Sequence, residues 1–593
     1  MKYQLLISAT LAALWGSAAN AGVPTYSNTF ISYDSPSYVN SLLDYSSEHN
    51  VGGMIMWEAS GDLAATSKDS LLYQVAHTQV SNPPQVVELF WPDWSTERNY
   101  GSDGLPVWGS GGTAKYRDTL EGQKLSDQIV AAQSHNSQAV VAYSFVESNS
   151  DGSLKAYDPW ADLQPDDATW CSQTSNFCQG TPTADTTSFG SIDQFLALKD
   201  DHPGLKTIMA FGGWGHEADI DNAIAHPDTF AQSYSKLNEA LGSSGHPVFD
   251  GINFDYESAD KDGLATKFKG LVTLIKAFHQ SNPESFISVD LMGDDKFLAK
   301  IKPDLQALSD EIPNIHFDIM SYDFHGAFDY GPNAANKTGL LSRIYNGDDQ
   351  NDFSIEKEMA ALQGINPQNI SLGFAAYGRA LSNISSNNGS LFEGVIKADS
   401  LIPIEYDMDD HGPNFVDGYG NPKFRCSVQL SDSRYPACDG MYPWSYIHNS
   451  MLTGGFKQVE VKSGDKVTGV YAQNLSSWTP SQPSAESGTL TINITADPTY
   501  YYNSLTVTDD ADPKQVTLNN LQPNTPFNLQ YPATDGESSL HFDFFVNGNH
   551  VQCDGLLPKD ASQHLDFSKS LTVTRSGSPY NSSDPAKCTV TVS

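Results

Sequence analysis

The chain has 593 residues, more than one ordinary hydrophobic core accommodates, and its 39% apolar and 11% aromatic content excludes a disordered chain. Its 71 Asp and Glu residues against 33 Lys and Arg leave a net charge of −38. Such a surface repels nucleic acid and anionic membranes, whose phosphates need basic patches, but it carries no penalty against a neutral polysaccharide.

Residues 1–21 read as a secretory signal peptide. Lys2 supplies a positive start, Leu5 to Trp15 an apolar run, and Ala19-Asn20-Ala21 a small-residue cleavage site. The run is shorter than the ~20 apolar residues a bilayer core requires, and no later segment is long and apolar enough. A secreted protein, extracellular or periplasmic, is expected. Next come a helix-like stretch from Ser35 to His49 and an apolar strand candidate, Val51–Glu58. A helix and one strand bury too little surface to fold alone, which assigns them to a larger unit.

From Gln85 to Arg379 short apolar runs alternate with amphipathic stretches, the pattern of repeated β/α units. The strand candidates are Val86–Trp91, Ala139–Phe145, Lys206–Phe211, Phe249–Glu257, Phe286–Leu291, Ile315–Tyr322 and Ser371–Tyr377. Between them, Leu264, Phe268, Leu271, Ile275 and Phe278 recur at helical spacing. With the front unit these seven strands make eight, enough to close a (β/α)8 TIM barrel.

Residues 380–480 break the alternation and read as an α+β-type insertion over one barrel face; residues 481–488 form a Pro/Ser/Gly linker. From 489 to 593, alternating segments such as Thr489–Ile494, Leu505–Thr508, His541–Val546 and Leu571–Thr574 predict a C-terminal all-β, sandwich-like domain. The expected catalytic domain is thus 22–480, with a last barrel strand unit at 22–80 and strands one to seven at 85–379. Six cysteines form three sequence-near pairs: Cys171 with Cys178, Cys426 with Cys438, and Cys553 with Cys588. Several connectivities are formally open; short loops in an exported chain favour local disulfides, and the absence of CxxC argues against metal or redox cysteines.

The stretch Phe249–Glu257, FDGINFDYE, carries the chemistry. Alternate strand residues share a face, so Asn253, Asp255 and Glu257 project together toward the barrel axis. Glu257 falls at the strand's carboxyl end, where barrel enzymes build active sites. Two neighbouring carboxylates hold a proton at neutral pH, and a held proton is what a general acid needs. An acidic strand end facing solvent is the bland alternative, and this motif alone does not decide between them.

Asp250-Gly-Ile-Asn253-Phe-Asp255-Tyr-Glu257 resembles the DGxDxDxE signature of the family 18 glycoside hydrolases, the chitinase family. Val86–Trp94, Ala210-Phe-Gly-Gly-Trp214, Met320-Ser-Tyr322-Asp323-Phe-His-Gly326 and Tyr377-Gly-Arg379 resemble further family segments in the expected order. The front segment, Phe30–Asp62, resembles the family's closing segment with its tryptophan-bearing last strand. Because it precedes strand one here, the sequence looks circularly permuted, the cut lying inside the insertion. The resemblance covers most of residues 29–480.

The resemblance implies a retaining, substrate-assisted chitinase acting on chitin or chitooligosaccharides without a cofactor. Glu257 is the implied proton donor, and Asp255 the partner of the substrate's acetamido N–H. Tyr322 would steady that group, and Trp57 would floor the cleavage subsite. Asp323 and Arg379 would bind neighbouring groups, and Trp214 would line the leaving-group side. Each has a structural alternative: strand end, ion pair or barrel core. Peptidoglycan or an N-glycan core is the rival substrate, and a non-catalytic chitin-binding lectin the rival class. The family's first inner carboxylate is replaced by Asn253, and its supporting tyrosine and serine by Phe90 and Ala210. These tuning changes predict that Asp255 shares its proton with Glu257 alone, unless Asn253 is simply a packed barrel residue. The histidines, His316 and His325 included, lack ligand spacing, so no metal is expected. Gly212-Gly213 reads as close packing rather than a phosphate loop. Nothing in the sequence sets an oligomeric state.

Overall fold

The computed structural model describes residues 26–92, 120–157, 190–241, 247–331, 334–347, 353–397, 400 and 440–478, together with the backbone of strands between 488 and 592. In chain order, β1 (Tyr26–Tyr33) and α1 (Pro36–Glu48) lead into β2 (Gly53–Trp57), α2 (Leu71–His77) and β3 (Val86–Pro92). There follow α3 (Leu120–Ala132), β4 (Gln138–Ser148), β5 (Leu154–Ala156), α4 (Gly190–Asp201), β6 (Lys206–Gly212), α5 (Glu217–Ala225) and α6 (Pro227–Leu241). Then come β7 (Gly251–Asp255), α7 (Lys261–Ser281), β8 (Phe286–Met292), α8 (Asp295–Glu311), β9 (His316–Met320), α9 (Ile355–Ala361) and β10 (Ile370–Ala375).

Eight of these strands form a closed parallel ring in the order β3-β2-β10-β9-β8-β7-β6-β4, with β3 paired to β4 and β5 added antiparallel to β4. This is the expected (β/α)8 barrel, with β2 from the front segment between β10 and β3. Period-two alternation partitions the apolar residues. Val87, Leu89, Val141, Met209 and Phe211 join the large core under the helices, whereas Ile55, Val86, Phe90, Val140, Ala142, Ile208 and Ala210 form a separate inner cluster. Phe145 joins the inner cluster where the β4–β6 register shifts between Ser144 and Val146, a bulge that re-aims one side chain. The helices bury one stripe each; in α7 it is Leu264, Phe268, Leu271, Leu274, Ile275 and Phe278, and the Asp260 carboxylate caps the first turn by accepting from the Gly263 N–H.

The run expected from Ser371 to Tyr377 stops at Ala375, and the chain resumes as β11 (Tyr377–Leu381) in a second sheet. The hairpin β12 (Ser385–Asn387) and β13 (Ser390–Val395) comes next, then β14 (Gly440–Pro443), β15 (Lys457–Ser463) and β16 (Lys466–Trp478). The second sheet runs β14-β11-β1-β16-β15. Its centre is the N-terminal β1, antiparallel to both neighbours, with Tyr33 opposite Gly378 and Tyr26 opposite Trp478. Asp34, buried just after β1, accepts a 2.7 Å hydrogen bond from the Ala375 N–H and ties this sheet to the barrel.

Toward the C-terminus, β17 (Gly488–Ala496), β18 (Tyr502–Asp509), β19 (Val516–Leu521), β20 (Pro526–Tyr531), β21 (Ser539–Val546), β22 (Asn549–Leu556), β23 (Ser570–Ser576) and β24 (Lys587–Val592) form two four-stranded sheets, β20-β17-β23-β24 and β19-β18-β21-β22. The strands carrying Cys553 and Cys588, β22 and β24, lie against one another. The signal peptide, Cys171, Cys178, Cys426, Cys438 and linker residues 481–487 lie outside the described residues. No described helix is long and apolar enough to cross a membrane.

Candidate active site

The strand expected over Phe249–Glu257 spans Gly251–Asp255, so Glu257 stands two residues beyond its carboxyl end, half-buried. Asp255 is only 4% exposed. Its neighbour β6 ends in Gly212 at φ 111°, where a Cβ would lie 2.3 Å from the Asp255 carbonyl oxygen; the next residue, Gly213, donates its N–H to that oxygen at 2.9 Å. The glycine pair is therefore a close-packing device holding the acidic strand end against β6. Burial, and then Asp290, push the Asp255 carboxyl well above the usual carboxylate range.

Asp290 bears on the expectation that Asp255 shares its proton with Glu257 alone, because the structure brings a second carboxyl beside Asp255. Asp255 and Asp290 are register partners on the parallel strands β7 and β8. Asn253 is fully buried, and its amide bridges β7 to β8 by donating to Ser288 Oγ (2.9 Å) and Asp290 Oδ1 (3.0 Å). Ser288 Oγ donates onward to Glu88 Oε1 at 3.2 Å, across the barrel on β3. Asp318 on β9 completes a buried acidic layer. Burial, then Asp318 and Glu88, hold Asp290 protonated far above its ordinary range; burial and Asp318 do the same to Glu88, and burial pushes Asp318 up to about 7. The signal was present in the sequence as polar residues at inward, alternate positions of otherwise apolar strands: Glu88, Ser288, Asp290, Asp318 and Ser371.

On the other side the barrel lining is apolar. Phe90 and Ala210 belong to the apolar inner cluster, and Ala210 faces Asn253 in register. The Trp57 ring packs on that cluster, 5.5 Å from Phe90 and stacked 5.6 Å from Phe145, and also packs on a second cluster made of Tyr322, Leu341, Ala375, Tyr377 and Met441. Trp57 thus joins the apolar half to the mouth of the acidic one. Tyr322 is 8% exposed, and its hydroxyl is kept neutral by burial and by the surrounding Asp290, Asp255, Glu257 and Asp323 carboxylates. Behind it, Ser321 Oγ donates to the buried Glu358 Oε2 at 2.7 Å, and burial pushes the Glu358 carboxyl up to about 8.

Arg379 and Asp323 form a bidentate pair, Nε to Oδ1 at 2.6 Å and Nη2 to Oδ2 at 2.7 Å, with the guanidinium also over Phe328 and Tyr377. Trp214 is 52% exposed on the glycine-flanked loop after β6. His325 bonds Asp329 at 2.9 Å, a shaping contact within its own loop. Burial lowers His316, at the opposite end of β9, to about 4. Among the described residues one group, Glu147, His216 and Asp219, brings three ligand-type atoms within 4.8 Å, and Lys155 is its cation, paired with Glu147.

The family model for glycosyl hydrolases family 18 matches residues 113–503, more than half of the chain. Chitinase C of Streptomyces lividans is 26% identical over 208 residues, 33% of this chain and 32% of that protein. Chitinase 1 of Aphanocladium album is 27% identical over 270 residues, 43% and 58% of the respective chains. The chain therefore spans about a third to three fifths of the length of these relatives. Among solved structures, the catalytic domain of psychrophilic chitinase B from Arthrobacter TAD20 gives a TM-score of 0.41 at 17% identity, covering 65% of this chain and 85% of that one. Chitinase ChiA74 from Bacillus thuringiensis gives 0.41 at 12% identity, covering 83% and 86%. With its acidic strand end at the mouth of a closed (β/α)8 barrel inside the matched region, the chain belongs to glycosyl hydrolases family 18.

Proposed function

We propose that this protein is a secreted chitinase that hydrolyses β-1,4 bonds between N-acetylglucosamine units by a retaining, substrate-assisted mechanism. The observation that carries the reading is the meeting of Asp255, Glu257 and Tyr322 at the barrel mouth, beside the ring of Trp57. Glu257 gives its proton to the glycosidic oxygen as the bond to the anomeric carbon breaks. The substrate's acetamido oxygen closes on that carbon, forming an oxazolinium ion. Asp255 accepts the acetamido N–H and offsets the positive charge in a dry setting. Tyr322, held neutral, donates its O–H to the same group. Water then opens the ring, returning a proton to Glu257 and restoring the starting configuration at the anomeric carbon. Trp57 offers its face to the apolar side of the sugar. The Asp323–Arg379 pair and Trp214 flank the cleft as binding groups.

Release of short oligosaccharides from colloidal chitin tests this, with the β-anomer formed first by NMR. Glu257→Gln should lower kcat about 10³-fold with folding intact; undiminished release, or an α-anomer product, sinks the mechanism. Hydrolysis of peptidoglycan or N-glycan cores in preference to chitin would reassign the substrate, and binding without hydrolysis would make the protein a lectin.

Circular permutation and export belong to the same proposal. Supporting the first, the family match begins after the front segment, and the end of β16 lies beside the start of β1, Trp478 opposite Tyr26, where a short turn suffices to join them. A chain rebuilt to run from Gln85 through Trp478, across such a turn, into Tyr26 and on to Pro84 should fold and keep the barrel's far-UV signature; a rebuilt chain that stays unfolded counts against it. For export, the mature protein should begin at Gly22.

A further inference from the structure

In the sequence Asn253 stands where the resemblance places an inner carboxylate beside Asp255, yet the structure does not leave that side of Asp255 without one. Asp290 occupies the same register on the adjacent strand, one interstrand spacing of about 4.8 Å away, and is buried to 3% exposure. The Asn253 amide reaches across and holds Asp290 Oδ1, while its other partner, Ser288 Oγ, turns to Glu88. Asp255 Oδ1 is itself buried and has no hydrogen-bond partner among the described residues.

We propose that Asp290 is the proton-holding partner of Asp255, so that the inner carboxylate of the acidic motif sits on the neighbouring strand, with Asn253 as the amide that orients it. The inference rests on the functional reading above and names a positioning residue for it. The two carboxyls, in register on adjacent strands and both buried, do not ionise together, so at least one proton stays on the pair. With the proton on Asp290, Asp255 is the anion that accepts the acetamido N–H. With the proton on Asp255, Asp290 is the anion, held by the Asn253 amide. Transfer moves one proton from one carboxyl to the other and makes or breaks no other bond; the proton on Glu257 travels separately, to the glycosidic oxygen and back from water. Four further groups face the pair: Glu88 on β3, Asp318 on β9, Glu257 beyond β7 and the Tyr322 hydroxyl. Both aspartates are shifted upward, Asp255 by burial and then Asp290, and Asp290 by burial and then Asp318 and Glu88.

The test is the pH profile of kcat on a chitooligosaccharide for the full-length wild type, Asp290→Asn and Asn253→Asp. Removing the neighbouring charge frees Asp255 to ionise, so the acidic limb of Asp290→Asn should move down by about one pH unit or more. Asn253→Asp adds a third carboxyl to the stack and should move the limb up by a similar amount. A limb that stays in place while kcat or KM changes by a constant factor means Asp290 is only a packing residue, and overturns the proposal. If Asp290→Asn fails to fold, Asn253→Asp decides alone by the same criterion. A readout without substrate separates this inference from the functional reading: the protonated-carboxyl infrared band near neutral pH should lose the same component in Asp255→Asn and in Asp290→Asn. Loss in only one of the two overturns the shared proton. An inactive wild type would remove the chitinase assignment and leave the infrared result to stand or fall by itself.

Discussion

The inside of the barrel is two different materials. The half lined by β2, β3, β4 and β6 is packed with Ile55, Val86, Phe90, Val140, Ala142, Phe145, Ile208 and Ala210, without a titratable group in the cluster. The half lined by β7 to β10 presents Asn253, Asp255, Ser288, Asp290, Asp318 and Ser371, into which Glu88 reaches from β3. The first half is held by dispersion and excluded water, the second by protons that its carboxyls have not released. The difference puts an apolar floor beneath the Trp57 ring and a carboxyl-rich wall beside Asp255. The apolar half lowers the local dielectric, and the acidic half uses it.

The hardest way to break this contrast is to put a charge on the wrong side. Ala142→Asp buries a carboxyl in the apolar inner cluster and should cost about 3 kcal/mol or more in urea denaturation, or prevent folding; a change below about 1 kcal/mol would mean the halves are interchangeable. Next in size is pH. Asp34 and Asp318, near 7, and Glu358, near 8, all lie above their unfolded values, as do Glu88, Asp255 and Asp290. A raised acid contributes stability below its unfolded pKa and loses it as pH rises through its folded pKa. His316, depressed to about 4, works the other way for a single proton. The melting temperature should therefore fall by about 5 °C or more between about pH 5 and pH 8.5, and Glu358→Gln should flatten the upper part of that fall in scanning calorimetry.

A smaller effect is expected at the seam between the halves. Gly212→Ala needs both a left-handed backbone and room that the Asp255 carbonyl already fills. It should cost about 1–3 kcal/mol and lower kcat by displacing the acidic strand end. The smallest effect belongs to the rim, where Arg379→Lys replaces a bidentate pair with Asp323 by a point charge. Stability should change by under about 1 kcal/mol, with KM rising more than kcat falls; an equal loss in both would give Arg379 a role in the transition state.

Much of the fold was legible in the sequence because each barrel strand announces itself locally, as VVELFW or FISVDL does, and helices such as α7 carry their stripe in five or six residues. Glu257, Asp255, Tyr322 and Trp57 were legible because they stand in motifs. The acidic layer was not, since Glu88, Asp290 and Asp318 become neighbours only when the ring closes, and no short window contains more than one of them. Asp290 is hidden for the same reason, since it meets Asp255 only across two strands. Sheet membership was also hidden at two ends. Nothing local says that Ala375 ends one sheet and Tyr377 opens another, or that Tyr26–Tyr33 is the middle strand of a sheet whose other members lie beyond residue 376.

That middle strand sets a timetable for synthesis. Ser32 donates its hydroxyl to the carbonyl of Val470, 438 positions later, and β1 finds neither of its neighbours until β11 and β16 have been made. This strand is made long before its partners and is among the last to be satisfied, with its apolar Phe30, Ile31 and Tyr33 unpaired in the meantime. Such remote pairing slows folding and lengthens the interval in which a strand edge can join the wrong neighbour. A nascent chain of this protein therefore depends on whatever keeps its leading segment apart from other chains until the barrel arrives.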